Sequence, residues 1–261
     1  TKAGSLLRRT SARYRLIDVP SRVLNRKEYN ARMKERFTRT EAGAWFSIGV
    51  GLLLLGSAAD AADEKRVALA PALPKPTFAG TPLDVRSPHR EAYRGEGVPP
   101  PPLLVPEGTR LLSRGCPVTC SDPRVKKSEL ALVTDGDKQY SPMAYLELAP
   151  GLRWVQLDLG TNAEIYAVCL WRERPEQCVY RDVVVRVSDD PTFKTGCVTL
   201  FNNDYDNSAG LGVGTDKEYF EDHFGRRIAG NGVRARYINI TSNGNTSDPY
   251  NRYTEVEVYG K

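Results

Sequence analysis

Eighteen consecutive residues without a charge, Ala42 to Ala59 (AGAWFSIGVGLLLLGSAA), sit between Glu41 and Asp60 and divide the chain into parts that cannot share one core. About 20 apolar residues cross a hydrocarbon layer, with roughly 17 as the lower limit. Trp45 lies near the start, where an indole suits the membrane interface. Residues 1–41 carry twelve Lys/Arg against four acids, a local charge of +8, so the remaining residues sum to −3. That distribution excludes a basic globular nucleic-acid binder, because the excess cation is confined to a tail. By the positive-inside bias the tail is expected in the cytoplasm and everything after about residue 62 outside it, in the periplasm or its equivalent. The expected anchor is a transmembrane helix over 42–62 whose lipid-facing residues are Trp45, Phe46, Ile48, Val50, Leu52, Leu53, Leu54 and Leu55. Two other readings fit the same stretch. Ala59-Asp60-Ala61 has the small-x-small form of a signal-peptidase site, although 41 residues is a long leader. A buried core helix would need an apolar helical partner, and the sequence offers none.

Within the tail, Val23, Tyr29, Met33 and Phe37 fall near one helical face among Arg and Lys. Either a helix lying on the anionic leaflet or a solvated, partly helical tail accounts for this pattern. Beyond the anchor, ten of the eighteen prolines fall between Val67 and Pro106, including the run Pro99-Pro100-Pro101-Pro102. Such composition predicts an extended, semi-rigid linker over 63–106.

From residue 107 the texture is that of strands. Trp154-Val155-Gln156-Leu157-Asp158-Leu159 and Thr254-Glu255-Val256-Glu257-Val258-Tyr259 alternate with period two, and turn residues separate further short runs rich in β-branched side chains. Residues 107–261 therefore read as one mainly β sandwich or jelly roll. No phosphate loop is present, since Gly210 to Gly214 is not followed by Lys-Ser/Thr. No nucleophile elbow occurs, and two histidines leave little for acid–base chemistry. A non-enzyme is expected.

An ordered set of short motifs resembles a known family. Val133-Thr134-Asp135-Gly136-Asp137, Trp154 to Gly160, Tyr180 leading into a Val-rich strand ending Ser188-Asp189-Asp190, and the closing Glu255 to Gly260 look like a discoidin domain. This is the coagulation factor V/VIII C-type module of the galactose-binding-like superfamily, and the resemblance covers about residues 110–260. It implies a jelly-roll sandwich that binds glycans, phospholipids or proteins through loops at one end and has no chemistry of its own. It also implies a structural calcium near the DG-D turn, for which Asp135, Asp137 and Glu255 match. Calcium takes six to eight hard oxygens, but Lys138 brings a cation into the loop and an Asp-rich turn would read the same. Glycan binding needs exposed rings beside planar polar groups. The loop candidates are Tyr140, Tyr145, Tyr205, Tyr250 and Tyr253, with Arg181 and Arg252 as donors. Of five cysteines, Cys116 or Cys120 could bridge to Cys178 in an oxidising compartment.

Two functions follow. One is an accessory, non-catalytic subunit of a larger membrane complex, whose partners are the other subunits and the bilayer. The alternative is a membrane-tethered carbohydrate-binding module with a glycan partner.

Overall fold

The computed structural model describes residues 64–76, 87–95, 97–173 and 178–261. The basic tail and the apolar 42–62 stretch lie outside the described residues. Among the described residues, no helix is long and apolar enough to cross a membrane.

Eleven strands and one helical turn make up the described chain. They are β1 (Arg66–Ala68), β2 (Leu104–Pro106), β3 (Arg110–Leu111), β4 (Val118–Cys120), α1 (Lys127–Leu130) running into a 3₁₀ turn (Ala131–Val133), β5 (Leu146–Leu148), β6 (Arg153–Trp171), β7 (Val184–Ser188), β8 (Val198–Asn202), β9 (Arg226–Ser242), β10 (Asn251–Tyr253) and β11 (Glu255–Gly260).

Two long strands, β6 and β9, organise the rest. Arg153 to Asp158 pair antiparallel with Ser242 to Tyr237, and Ala163 to Leu170 pair with Ala235 to Arg226. Register shifts between Asp158 and Ala163 separate the two stretches, the kind of irregularity that bends a strand. The first half of β6 and the last half of β9 join β4, β7 and β8; the second half of β6 is flanked by β11, which carries β3. The bent pair thus belongs to both layers of a β-sandwich. Val155, Leu157, Ile165, Leu170, Val185, Val187, Ile238, Ile240, Val256 and Val258 fill the space between them. These are the inward positions of the alternating runs, and burying each contributes roughly 1.5–3 kcal/mol.

The second half of β6 is buried on both faces, as its near-continuous apolar run Ile165 to Trp171 requires. Its outer face (Ala167, Cys169, Trp171) packs against Leu69 and Val105. Those two residues flank and occupy a small antiparallel sheet in which Arg66, Val67 and Ala68 pair with Pro106, Val105 and Leu104. Both strands fall inside the segment expected to be an extended linker. The apolar outer face of β6 explains why its ends fold back instead, since the prolines interrupt but do not remove the few aliphatic residues that can cover it. Between these ends, residues 87–95 dock on the sandwich: Glu91 N–H donates to Glu218 O at 2.8 Å, and Glu218 N–H donates to His89 O at 3.1 Å. The Arg94 guanidinium reaches Asp222 Oδ2 at 2.6 Å, and Arg226 Nη1 reaches Glu91 Oε1 at 2.6 Å.

Candidate functional site

Strand ends from both layers converge on one end of the sandwich, and a buried arginine holds them. Arg172, just after β6, lies between the rings of Tyr180 and Tyr253 at 4.4 and 4.3 Å. Its Nη1 donates to Ser242 Oγ at 3.0 Å, and Glu221 Oε1 stands 3.8 Å from its Nε. Burial works against its charge, but Tyr253, Tyr219 and Glu221 hold its pKa above the ordinary value. Tyr253 is therefore a core residue and cannot serve as a surface platform.

Above this floor lies the main cluster. β10 pairs with β5 so that Arg252 is directly opposite Glu147, and cross-strand partners share a face. Arg252 Nε donates to Glu147 Oε2 at 2.8 Å and Nη1 donates to Asp248 Oδ2 at 2.7 Å, with Glu173 Oε2 at 3.9 Å. The guanidinium carbon lies 5.8 Å from the Tyr145 ring centroid and 5.4 Å from that of Tyr250. Burial lowers the Arg252 pKa, yet the bonds to Asp248 and Glu147 hold it raised. Burial followed by the Glu173 charge raises that of Tyr145. Three sequence candidates, Tyr145, Tyr250 and Arg252, are thus brought together as two half-exposed rings beside a fixed planar cation and two carboxylates.

The other candidates sit apart. Tyr140 is 50% exposed and lines a shallow depression with Lys138, Trp171 and Glu173. Tyr205 is stacked on His89 of the docked segment. Arg181 fixes the loop through its backbone, donating to Gly244 O and accepting from Asn243 N–H.

At the DG-D turn, Gly136 adopts φ +78° and its N–H donates to Glu255 Oε2 at 2.9 Å. A Cβ at Gly136 would overlap the Arg114 guanidinium. Asp135 Oδ1 and Asp137 Oδ1 accept the N–H groups of Asp137 and Gln139, closing two successive Asx turns. Glu255 is 1% exposed and its Oε1 has no hydrogen-bond partner. Burial, then Glu257 and Asp135, push its pKa up to about 8. A buried carboxylate oxygen without a donor is what a hard cation would satisfy, and Glu255 with the neighbouring Asp135 is the part of the expected set that could meet one; the oxygens of Asp135, Asp137 and Glu255 do not all converge within 4.8 Å. Lys138 spends its charge elsewhere, on Glu257 Oε1 at 2.5 Å and over the Trp171 ring at 4.5 Å.

A second acidic group went unread in the sequence. Among the described residues, Asp182, Asp204 and Asp206 are the three carboxylates whose oxygens converge within 4.8 Å. Asp204 is buried and accepts from Ser208 and Ala209 N–H, while Asp182 accepts from Asn243 Nδ2. The Asp-x-Asp spacing at 204–206 was the available signal, but Asp182 enters from another loop.

All five cysteines are free thiols. Cys178 is buried in the main core, while Cys116 and Cys120 donate to the carbonyls of Leu112 and Asp122. The candidate Cys116/Cys120–Cys178 bridge is thus not formed: the core encloses Cys178, while Cys116 and Cys120, the last residue of β4, each hold a nearby backbone carbonyl. Burial pushes the Cys169 thiol up to about 12.

No family model matches the chain, and no curated protein matches it. Solved structures similar to it include chitosan-binding module 1 of a chitosanase/glucanase from Paenibacillus sp. IK-5, at 20% identity over 58% of this chain and 99% of that one (TM-score 0.39). Truncated AlyQ with CBM32 and alginate lyase domains is similar at 17% identity over 59% of this chain (TM-score 0.41), and this chain spans about a third, 34%, of its length. A pectin binding carbohydrate binding module is similar at 22% identity over 54% of this chain and 87% of that one (TM-score 0.40). The described residues form the mainly β architecture expected for residues 107–261.

Proposed function

We propose that the chain is a non-catalytic carbohydrate-binding module, tethered to a membrane by residues 42–62 and displaying its sandwich on the extracytoplasmic side. The observation that carries this reading is the Arg252 cluster, in which Tyr145 and Tyr250 flank a guanidinium already fixed by Glu147 and Asp248. Sugars are recognised by ring faces together with rigid, bidentate polar groups, and fixing those groups in advance lowers the ordering cost of binding. Tyr140, half-exposed and lining a depression together with Glu173, would extend the surface to a second sugar unit. Calcium at Glu255 would hold the DG-D turn and, through it, the start of β11.

The linker is held by its own domain, through Arg94–Asp222 and Arg226–Glu91. A foreign subunit is then not needed to order it, which is why the tethered module is preferred to the accessory subunit. A glycan array probed with the full-length protein, with and without calcium, tests the reading. Hits that disappear in the Tyr145→Ala/Tyr250→Ala double variant support it. An array without hits in either condition, or hits that the double variant retains, refutes it.

A further inference from the structure

The polar atoms that the Arg252 cluster turns to solvent are not those of its arginine. The Arg252 side chain is 11% exposed, whereas those of Glu147 and Asp248 are 42% and 28% exposed. Asp248 is fully engaged: Oδ2 accepts from Arg252 Nη1, and Oδ1 accepts from Tyr250 N–H at 2.9 Å and Asn245 Nδ2 at 3.1 Å. Glu147 is not. Its Oε2 accepts from Arg252 Nε, which leaves Oε1, on the most exposed side chain of the three, to face a ligand.

Charge follows the same pattern. One cation, Arg252, answers three carboxylates, those of Glu147, Asp248 and Glu173. Arg124, whose charge also reaches Tyr250 and Glu147, is bonded to both oxygens of Asp122 and so adds no net charge. Arg172 beneath is matched by Glu221. Among the described residues the cluster is therefore acidic on balance. After burial, the Glu173 charge does most to raise the pKa of the Tyr145 phenol, with Arg252 pulling the other way and Glu147 adding to the rise. Two rings beside an acidic rim favour a sugar that carries a cation. They oppose one that carries a carboxylate, because like charges brought together at a partly desolvated surface repel more strongly than in water.

We propose that the Arg252 cluster selects protonated amino sugars over neutral sugars and uronic acids, the ammonium meeting Glu147 Oε1 while the sugar ring lies against Tyr145 and Tyr250. The inference rests on the glycan-binding reading above and adds to it the class of sugar and the residue that sets the choice.

The test is calorimetric titration of the full-length protein at about pH 6, where a sugar amine is protonated. The probes are methyl glycosides of glucosamine and galactosamine, of glucose and galactose, and of glucuronic and galacturonic acid. In the favoured ring configuration the amino sugar should bind at least about tenfold more tightly than its neutral counterpart, with the uronic acid weakest. Glu147→Gln should shrink that preference to within about twofold. Two readouts need no variant to fold. Raising sodium chloride from about 50 to about 500 mM should narrow the preference in the parent protein, and the Glu147 carboxyl resonance should shift on saturation with the amino sugar. Neutral and amino sugars binding alike, a uronic acid binding more tightly, a preference that Glu147→Gln retains, or an unmoved Glu147 resonance overturns the proposal and leaves glycan binding standing. Binding of none of the six overturns both.

Discussion

His89 and Tyr205 stack face to face, their ring centroids 3.9 Å apart and their planes inclined by 13°. One ring belongs to the proline-rich segment and the other to the loop after β8, so the linker covers an aromatic that the sequence offers as a sugar platform. A stacked pair of this kind contributes about 0.5–1.5 kcal/mol. In His89→Ala, residues 87–95 should be cleaved faster by a non-specific protease, while the thermal midpoint of the sandwich stays within about 2 °C of the parent. Unchanged cleavage would show that the neighbouring ion pairs hold the segment without the stack.

The Arg252 cluster separates binding from folding. Tyr250→Ala removes a half-exposed ring and should lower stability by less than about 1 kcal/mol. Arg252→Ala should cost about 2 kcal/mol, since Glu147 and Asp248 lose charge-assisted hydrogen bonds. Arg252→Lys keeps the charge but cannot serve both carboxylates with a planar fork, and should fall between the two. Urea unfolding of the three variants orders them.

Glu255 gives the sandwich a pH dependence of known sign. Its pKa is pushed up to about 8 in the folded protein, mainly by burial, against an ordinary value of 4.5. The folded form therefore binds more protons than the unfolded form between these values. Its stability contribution is full below about pH 4.5 and is lost as the pH rises through about 8. Melting in a chelator should show this decline, and Glu255→Gln should flatten it. Calcium, by favouring the ionised carboxylate, should reverse the slope over the same interval.

Gly225 takes φ +69°, and a Cβ there would come within 2.5 Å of the Trp171 indole, whose Nε1 donates to His223 O. Both the left-handed backbone and the ring exclude a side chain. Gly225→Ala should destabilise by about 2–4 kcal/mol, with a red-shifted tryptophan emission as the indole is displaced. A variant as stable as the parent would mean the turn can open without loss.

How far the chain could be read depends on whether the information is periodic or positional. The alternation in Trp154 to Leu159 and Thr254 to Tyr259 names inward residues directly, and Leu157, Val256 and Val258 are in the core. The run Ile165 to Trp171 announces burial on both faces, but nothing local says what covers Ala167 and Trp171. The answer, Leu69 and Val105, comes from a segment whose prolines suggest a spacer. Tyr145, Tyr250 and Arg252 could be named as loop residues, yet their meeting depends on the β5–β10 register, a long-range pairing. Arg172 carried no signal at all. A cation between two buried phenols is legible only once the strands that bring Tyr180 and Tyr253 together exist.

The pairing of β1 with β2 has a mechanical consequence. Arg66 lies opposite Pro106, and Lys65 is bonded to Glu107 at 2.6 Å, so the incoming and outgoing chains leave this small sheet side by side. Tension on the chain before residue 64 would open its three pairs one after another, as a zipper opens. The next hold along the chain is the docked residues 87–95, bonded to Glu218, Asp222 and Arg226, so the load would reach the sandwich there rather than at β2.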